Sequence, residues 1–356
     1  MTKINLITSW KTECGIADTT RLLVNELETY DDIEINICPV KKLNSRNPLY
    51  FLKLLKNVPK NRITHIQYHS DLFGPFIPNF SLSYFPMVIF FLKFWRKNRI
   101  ITTVHEIDPN SALDNLIIKF LNLSDRLIVH KSSLINSMEK SGIKKGKLSM
   151  VPLGTLKNKI MDKKFCKNKL GLSNKKVLTI FGFIGLNKGH DIIIDILPQL
   201  GEDFILLIAG ESRTDEQVEY RHFLEDKISS AGLKKRVKFL GFIEKETLPV
   251  VANATDIFLY PYRWIIASAA LNLALSYNIP TITSDLDYFN EIKNEYDCIE
   301  LFKSENREDL LEKIQEISSS DEKQAYLKEK CVYFNKKTSL KVSGDKTRKL
   351  YLDLTH

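Results

Sequence analysis

The sequence predicts two doubly wound parallel α/β sheets in succession, and three observations carry that expectation. Short apolar, β-branched runs alternate with stretches of helical spacing through roughly the first 150 residues. A polar stretch marked by Pro152, Gly154 and Lys157 to Lys169 interrupts the rhythm and reads as a linker. The alternation then restarts and runs to Thr283.

Strand patterns in the first half are Ile4 to Thr8, Ile33 to Cys38, Ile63 to Gln67, Ile100 to Val104, Arg126 to Val129 and Leu148 to Val151. Helical spacing covers Ala17 to Thr29, Leu82 to Lys97, Ser111 to Leu121 and Ser132 to Lys140. In the second half, strands at Val177 to Phe181, Phe204 to Ala209, Val237 to Leu240, Asp256 to Tyr260 and Thr281 to Thr283 alternate with four helices. These are His190 to Leu200, Asp215 to Ala231, Lys245 to Ala254 and Ser268 to Tyr277. From Asn306 the chain is mostly helical and closes with Leu340 to Leu354. The expected boundaries are 1–155, 156–335 and a last helix over 336–356.

A length of 356 residues suits two domains, and 44% apolar with 27% charged residues is ordinary for a globular chain. The five cysteines are scattered without metal spacing, which predicts free thiols in a reducing compartment. Met1 to Trp10 reads as a strand rather than a signal peptide, and the longest apolar stretch, Tyr84 to Trp95, is too short to span a bilayer. Of the net charge of +9, the first 150 residues supply +8. Between Glu34 and Glu106 eleven basic residues face one acid, Asp71. Such a field attracts a phosphorylated substrate, an anionic membrane or nucleic acid, although no compact nucleic-acid recognition motif is present.

The residues with the clearest chemistry sit where strands end. Val177 to Ile184 is an uncharged strand run, and Gly182, Gly185 and Gly189 punctuate its turn into a helix. Glycines admit a ligand close to the backbone, a helix start offers free N–H groups, and Lys188 adds a point charge, so the turn suits an anion. It is neither a Walker loop nor Gly-x-Gly-x-x-Gly, and it also fits an ordinary loop with a surface lysine. Comparable strand ends carry Glu13-Cys14-Gly15-Ile16, Tyr68-His69-Ser70, His105-Glu106 before Asp108-Pro109, Gly210-Glu211, Gly241-Phe242-Ile243 and Pro261-Tyr262-Arg263. A further helix begins near Ser268-Ala269-Ala270. Ligands of open α/β sheets bind outside the carboxyl ends of strands, so a seam between two such domains is the expected site.

Cys14 to Arg21, His65-Ile66-Gln67-Tyr68, Thr103-Val104-His105-Glu106, Phe181 to Ile184 with Lys188-Gly189, and Tyr260 to Arg263 with Leu271 to Leu275 and Ile279-Pro280 together resemble glycosyltransferase family 4. The resemblance implies the GT-B fold: two Rossmann-like domains facing a cleft. It also implies retaining transfer of a sugar from a uridine or guanosine diphosphate sugar to a glycan or lipid-linked acceptor, with no bound cofactor or metal. By the same resemblance, His105 and Lys188 belong to the catalytic set, to which Arg263 is added as a cation that stands in for one the family's pattern has and this chain lacks. Gly15, Ile16, Gly182, Lys188, Gly189, Glu211, Gly241, Phe242, Ile243, Tyr262, Ser268, Ala269 and Ala270 would hold the donor, and Gln67, Tyr68, His69 and Glu106 would lie on the acceptor side. Lys188 matches the lysine that neutralises the departing diphosphate, and the last helix would cross back onto the first domain.

The chain departs from the family's pattern in three places. Phe183 stands where the family has an arginine, and Ile265 and Leu273 stand where it has two glutamates, the second of which grips the ribose. Arg263 is the expected substitute cation, with a salt bridge at the domain seam as its alternative. The departures also motivate a rival reading, a catalytically silent accessory subunit or sugar-nucleotide-binding protein. Asp285-Leu286-Asp287 has the bare spacing of a metal motif but reads as a loop. Finally, Phe73 to Trp95 joins nine aromatic residues to Arg96, Lys97 and Arg99, which suggests peripheral contact with the inner face of a membrane by an otherwise cytoplasmic protein.

Overall fold

A computed structural model describes residues 1–355 except 11–14, 43–44, 78–79, 106, 108–110 and 266–267; for 75–77, 80–82, 112 and 113 it describes the backbone alone. The chain divides into two compact units, Met1–Gly154 with Thr338–His356, and Thr155–Lys337.

The first unit contains β1 (Thr2–Ser9), α1 (Gly15–Leu27), β2 (Ile33–Val40), α2 (Pro48–Lys56), β3 (Ile63–Tyr68), α3 (Ser70–Phe73), a small antiparallel hairpin of β4 (Pro75–Ile77) and β5 (Phe80–Ser83), α4 (Phe85–Phe90), β6 (Arg99–Val104), α5 (Ala112–Leu121), β7 (Arg126–Val129), α6 (Ser132–Lys140) and β8 (Leu148–Met150). Six strands pair in parallel in the order β2-β1-β3-β6-β7-β8. Parallel strands covered by helices on both faces are buried throughout, and β3 is buried at every position although it carries Thr64, His65 and Gln67. In α1 the buried residues Ala17, Thr20, Val24 and Leu27 recur at helical spacing.

The second unit contains α7 (Lys163–Lys169), β9 (Lys176–Phe181), α8 (His190–Ile196), β10 (Phe204–Ala209), α9 (Asp215–Ser230), β11 (Val237–Phe239), α10 (Leu248–Ala254), β12 (Ile257–Tyr260), α11 (Ala269–Ser276), β13 (Thr281–Ser284), α12 (Asp287–Tyr296), β14 (Glu300–Phe302), α13 (Arg307–Ser319) and α14 (Asp321–Thr338). Its sheet is parallel in the order β11-β10-β9-β12-β13-β14. The last helix, α15 (Leu340–Asp353), belongs to the first unit. There Leu350, Tyr351 and Leu354 share a core with Ile4, Leu27, Ile63, Ile101 and Ile128.

Several expectations give way to the structure. Residues 157–169 are not all linker: Lys163–Lys169 is a helix capped by the Asp162 carboxylate, which accepts the Phe165 N–H at 2.7 Å. Its one buried side chain, Cys166, packs with Val250 and Ala254 and is too small an apolar signal to read among the helix's four lysines. The single helix expected over Leu82 to Lys97 is a strand, then α4, then a π-helical turn over Phe91–Trp95. Pro86 sets the break, because it lacks an N–H and is tolerated only in the first turn, where α4 places it. The Asp285-Leu286-Asp287 loop holds only as far as Leu286, since Asp287 opens α12.

The basic stretch is partly consumed inside the first unit. Lys93 pairs with Asp125 at 2.6 Å, Arg96 donates to the carbonyls of Leu55 and Lys56 at the end of α2, and Arg99 donates to the carbonyl of Leu354. These cations neutralise an acid and helix ends rather than adding to an external field.

Asp256, just ahead of β12, ties the second sheet together. Its carboxylate accepts the Val177 N–H at 2.7 Å and pairs with Lys163 and Lys167 at 3.0 and 2.6 Å. Removing it strands one backbone donor and two ammonium groups. Asp256→Ala is expected to lower the unfolding free energy by about 2 kcal/mol, measured by urea denaturation.

Candidate functional site

In the second unit the strand order reverses between β9 and β12, and their carboxyl ends bring together the residues around Lys188. Gly182 follows β9 with φ +123°, and a Cβ built there would meet the Tyr262 hydroxyl at 3.9 Å and Ala270 Cβ at 3.8 Å. Gly182, Tyr262 and the start of α11 therefore share one wall. Across the turn, Gly189 takes φ +67°, and a Cβ there would fall 2.0 Å from the Pro261 carbonyl oxygen. The turn is thus drawn tightly against the end of β12. Gly210 is required in the same way, since its Cβ would lie 1.9 Å from the Gly182 oxygen.

Lys188 sits half-buried with its Nζ 3.9 Å from the centroid of the Tyr262 ring. It pairs with no carboxylate among the described residues, and desolvation pulls its pKa down to about 8. The Tyr262 hydroxyl, buried beneath it, meets no hydrogen-bond partner among the described residues. A cation on an aromatic face, without a counter-charge and rimmed by close backbone, is the arrangement an anion completes.

Arg263 is placed otherwise than expected. Its guanidinium grips Asp191 with bonds of 2.9 and 2.8 Å, reaches Glu305 at 2.7 Å and donates to the Leu186 carbonyl at 2.7 Å. The Arg263 N–H also donates to the Asn187 carbonyl at 2.9 Å, and the Tyr220 hydroxyl to Asp191 at 2.5 Å. Burial alone would raise the Asp191 pKa, but the bonds from Arg263 and Tyr220 hold it below its usual value. Two carboxylates neutralise Arg263, so it is a brace for the turn that carries Lys188 and not a spare cation. Its partners Leu186, Asp191 and Glu305 all belong to the second unit.

The remaining second-unit residues line neighbouring strand ends. Glu211 accepts the Phe242 N–H at 3.2 Å beside Gly241, which takes φ +67°. Phe242 is exposed, while Ile243 leans on an apolar cluster. The Ser268 hydroxyl caps α11 by accepting the Leu271 N–H at 3.1 Å, so it is already engaged. The first-turn amides of Ala269 and Ala270 have no carbonyl four residues back to bond within the helix. Ile265 and Leu273 pack against the core around Tyr260 and Leu271, confirming that no carboxylate is offered from those two positions.

In the first unit, Gly15 and Ile16 open α1, with nothing among the described residues within 4 Å of a Cβ at Gly15. Glu13, Cys14, Glu106, Asp108 and Pro109 lie outside the described residues. His105 follows β6 directly, and its Nε2 lies 2.6 Å from Gln67 Oε1. Gln67 is 2% exposed and holds His105, so it does not face an acceptor. Tyr68 is likewise a core residue, packed on Phe73 and Phe85 with ring centroids 6.1 and 4.6 Å away. His69 caps α3 by accepting the Asp71 N–H at 3.2 Å and keeps an exposed edge.

The sequence reading assigned neither His65 nor Tyr351 a role at the site, although His65 stands in a motif that carries the family resemblance and Tyr351 in the closing helix. His65 contacts Tyr351, Thr103 and Gln67 in the fully buried space beside His105. The spacing of two between His65 and Gln67, which puts both on one face of β3, was the available signal. Burial, then the neighbouring imidazoles, hold His105 well below its usual pKa, and burial holds His65 down to about 3. Both rings are neutral at physiological pH.

Because the Gly210 position abuts backbone, Gly210→Ala is expected to cost about 2–3 kcal/mol of stability, read by urea denaturation.

Residues 162–331 match the family described as glycosyl transferases group 1. Among curated proteins, the chain is similar to mannosylfructose-phosphate synthase of Agrobacterium fabrum, 26% identical over 41% of this chain and 34% of the relative. It is also similar to the lipopolysaccharide core biosynthesis mannosyltransferase LpsB of Rhizobium meliloti, 29% identical over 37% of this chain and 38% of the relative. The matches thus span well under half the length of these relatives. Among solved structures, Anabaena HepE in complex with UDP-glucose superposes with a TM-score of 0.79 at 16% identity, over 99% of this chain and 100% of that one. Sucrose-phosphate synthase from Thermosynechococcus elongatus gives 0.76 at 15% identity, over 100% and 99%. The chain has the GT-B fold, two six-stranded parallel sheets flanked by helices, and its residues 162–331 match the family described as glycosyl transferases group 1.

Proposed function

We propose that this protein is a retaining glycosyltransferase of the family 4 type. It would transfer a sugar from a uridine or guanosine diphosphate sugar to a glycan or lipid-linked acceptor in the synthesis of a cell-surface polysaccharide or glycolipid. The observation that carries the proposal is Lys188, an ammonium desolvated on the Tyr262 ring with no carboxylate partner among the described residues. Holding a cation that way is unfavourable unless a ligand supplies the negative charge. The group 1 match over residues 162–331 and the UDP-glucose bound by the structurally similar Anabaena HepE support a nucleotide-sugar as that ligand.

In this reading the diphosphate lies against Gly182, Gly189, Lys188 and the Ala269 and Ala270 amides, with the base near Gly241 to Ile243. As the sugar C1–O bond to the diphosphate breaks, negative charge grows on the departing oxygen. Lys188 and the amides stabilise that charge, and the leaving phosphate takes the proton of the acceptor hydroxyl attacking from the same face. In the first unit, His105 and His69 are the residues the family resemblance puts forward for the sugar and the acceptor. Arg263 serves the reaction by fixing the turn.

A second reading has its own observation. Ile265 and Leu273 are spent in the core, so the ribose lacks the carboxylate grip that the resemblance leads one to expect. A protein that binds a sugar nucleotide without transferring the sugar would show that pattern. Turnover separates the two readings. Lys188→Ala is expected to lower kcat by about 10²–10³-fold in a donor transfer or hydrolysis assay. Binding without turnover across uridine and guanosine diphosphate sugars, read by thermal shift, would favour the second reading instead. Since the ammonium alone attracts the diphosphate, donor affinity should weaken as pH rises through about 8, where the free protein's Lys188 loses its proton.

The aromatic stretch supports contact with a membrane surface. Tyr84 and Phe85 are core residues, but Phe90, Phe94 and Trp95 are 57, 55 and 70% exposed on one side of the π-helical turn. Trp95 stacks on Phe91, whose ring centroid lies 5.7 Å from the Arg96 guanidinium. Apolar rings beside cations suit an anionic headgroup layer. Flotation with phosphatidylserine vesicles is expected to carry the protein, and Trp95→Ser with Phe94→Ser to reduce the floated fraction several-fold.

A further inference from the structure

The amino ends of β1, β3 and β6 surround a pocket that neither the Lys188 turn nor His105 uses. It measures about 570 Å³ and is lined in part by Lys3, Asn61, Arg62, Lys97, Arg99 and Leu354. Arg62 directly precedes β3, Arg99 opens β6, and the two strands pair with Ile63 opposite Arg99. His105 follows the other end of β6, roughly 20 Å away for a strand of that length. The pocket and His105 therefore lie at opposite edges of the first sheet.

The walls of the pocket are braced from behind. Asn98, 2% exposed, accepts the Arg62 N–H at 3.2 Å and donates to the Pro59 carbonyl at 3.1 Å and to Thr64 Oγ1 at 2.7 Å. The Asn61 N–H donates to the Arg96 carbonyl at 3.1 Å, which ties together the turns that lead into β3 and β6. Arg99 is held by the Leu354 carbonyl, and Lys3 pairs with Glu34 at 3.4 Å on an exposed surface. Arg62, half-buried, and Lys97, exposed, meet no acid among the described residues.

Lys97 also occupies an unfavourable backbone conformation. It takes φ +56° just past the π-helical turn over Phe91–Trp95, and the N–H of the next residue, Asn98, donates to the Leu92 carbonyl at 3.1 Å. A left-handed residue ends a helix in this way, and glycine or asparagine fills that role with least strain. Asparagine does so in the turn before β3, where Asn61 takes φ +54°. The backbone alone does not select a lysine at 97, whereas a charge on the wall of the pocket does.

We propose that this pocket is a second anion site, which binds the phosphate of a phosphate ester. Its two guanidiniums and two ammoniums offer more donors than a carboxylate can fill, while a phosphate monoester brings about two negative charges on three oxygens. The volume leaves room for the group that the phosphate esterifies. Trp95, 70% exposed, stands two residues before Lys97, so the ester is either a lipid headgroup beneath the exposed rings or a soluble molecule of the same chemistry. The pocket stands apart from the glycosyl-transfer reading; only the lipid source rests on the membrane contact proposed above.

The test is calorimetric titration of glycerol 3-phosphate into the full chain carrying Lys188→Ala, which removes the ammonium of the donor turn. Binding is expected, and acetate at equal ionic strength is expected to give none. Arg62→Gln and Lys97→Asn, added singly, are each expected to weaken binding about tenfold. No binding, equal binding of acetate, or binding that neither substitution changes would overturn the proposal. Lys97→Asn is also expected to raise the urea midpoint, because asparagine suits the left-handed backbone; a lower midpoint would show that the lysine serves the fold and would overturn its assignment to the pocket. Flotation separates the two sources. Phosphatidylcholine vesicles bearing phosphatidic acid that carry more protein than phosphatidylserine vesicles of equal surface charge, with the difference abolished by Lys97→Asn, assign the phosphate to a lipid headgroup. Equal flotation, or none, with glycerol 3-phosphate binding intact assigns it to a soluble ester, and absence of flotation fells the membrane reading alone.

Discussion

The candidate site depends on one ion pair. Arg263, at the end of β12, and Asp191, at the start of α8, lock together two segments that are 72 residues apart in sequence. The same guanidinium holds the Leu186 carbonyl, so the turn between β9 and α8 cannot relax away from the neighbouring strand. A paired, charge-assisted contact of this kind is directional as well as attractive. On that turn Lys188 lies over the Tyr262 ring. The glycines make this possible: at position 189 any side chain would strike the Pro261 carbonyl.

The division of labour between the two cations follows from their chemistry. A guanidinium offers a planar fork that two carboxylates and a carbonyl can fill, and Arg263 is filled. An ammonium is a compact charge that can be stripped of water on an aromatic face and kept in reserve, at the cost of a lower pKa. Elsewhere in the first unit, Lys93, Arg96 and Arg99 are also spent, on an acid and on carbonyls. Counting cations therefore overstates the available field. What distinguishes Lys188 is the lack of a partner in a setting where a charge needs one.

The first unit applies the opposite tactic. Burial keeps its imidazoles neutral, and neutral rings can be ordered by direction of donation rather than by charge. His65, Gln67 and His105 are close because β3 and β6 are neighbours with Gln67 opposite Thr103. Tyr351 joins them because α15 packs into the core made by Ile4, Ile63 and Ile101. In the same unit the aromatic run splits into core residues such as Phe85 and exposed residues such as Trp95, on a helix whose last turn is π-helical.

The sequence alone determined the two sheets, because parallel strands buried on both faces are written as continuous apolar runs such as Phe204 to Ala209, and each run announces itself locally. It also determined the glycine turns, because position 189 must adopt a backbone conformation that side chains resist. Elements with little apolar signal were not legible: Pro48–Lys56, Glu300–Phe302 and the short helix on Cys166 depend on partners distant in the chain. Which charges are free was decided only by the tertiary structure. Arg263 and Lys188 look alike in a string of letters, and the difference lies in Asp191 and Glu305, whose approach depends on how α8 and the loop after β14 pack. Partner identity is a matter of distance in space, and sequence encodes such distances only through the whole fold.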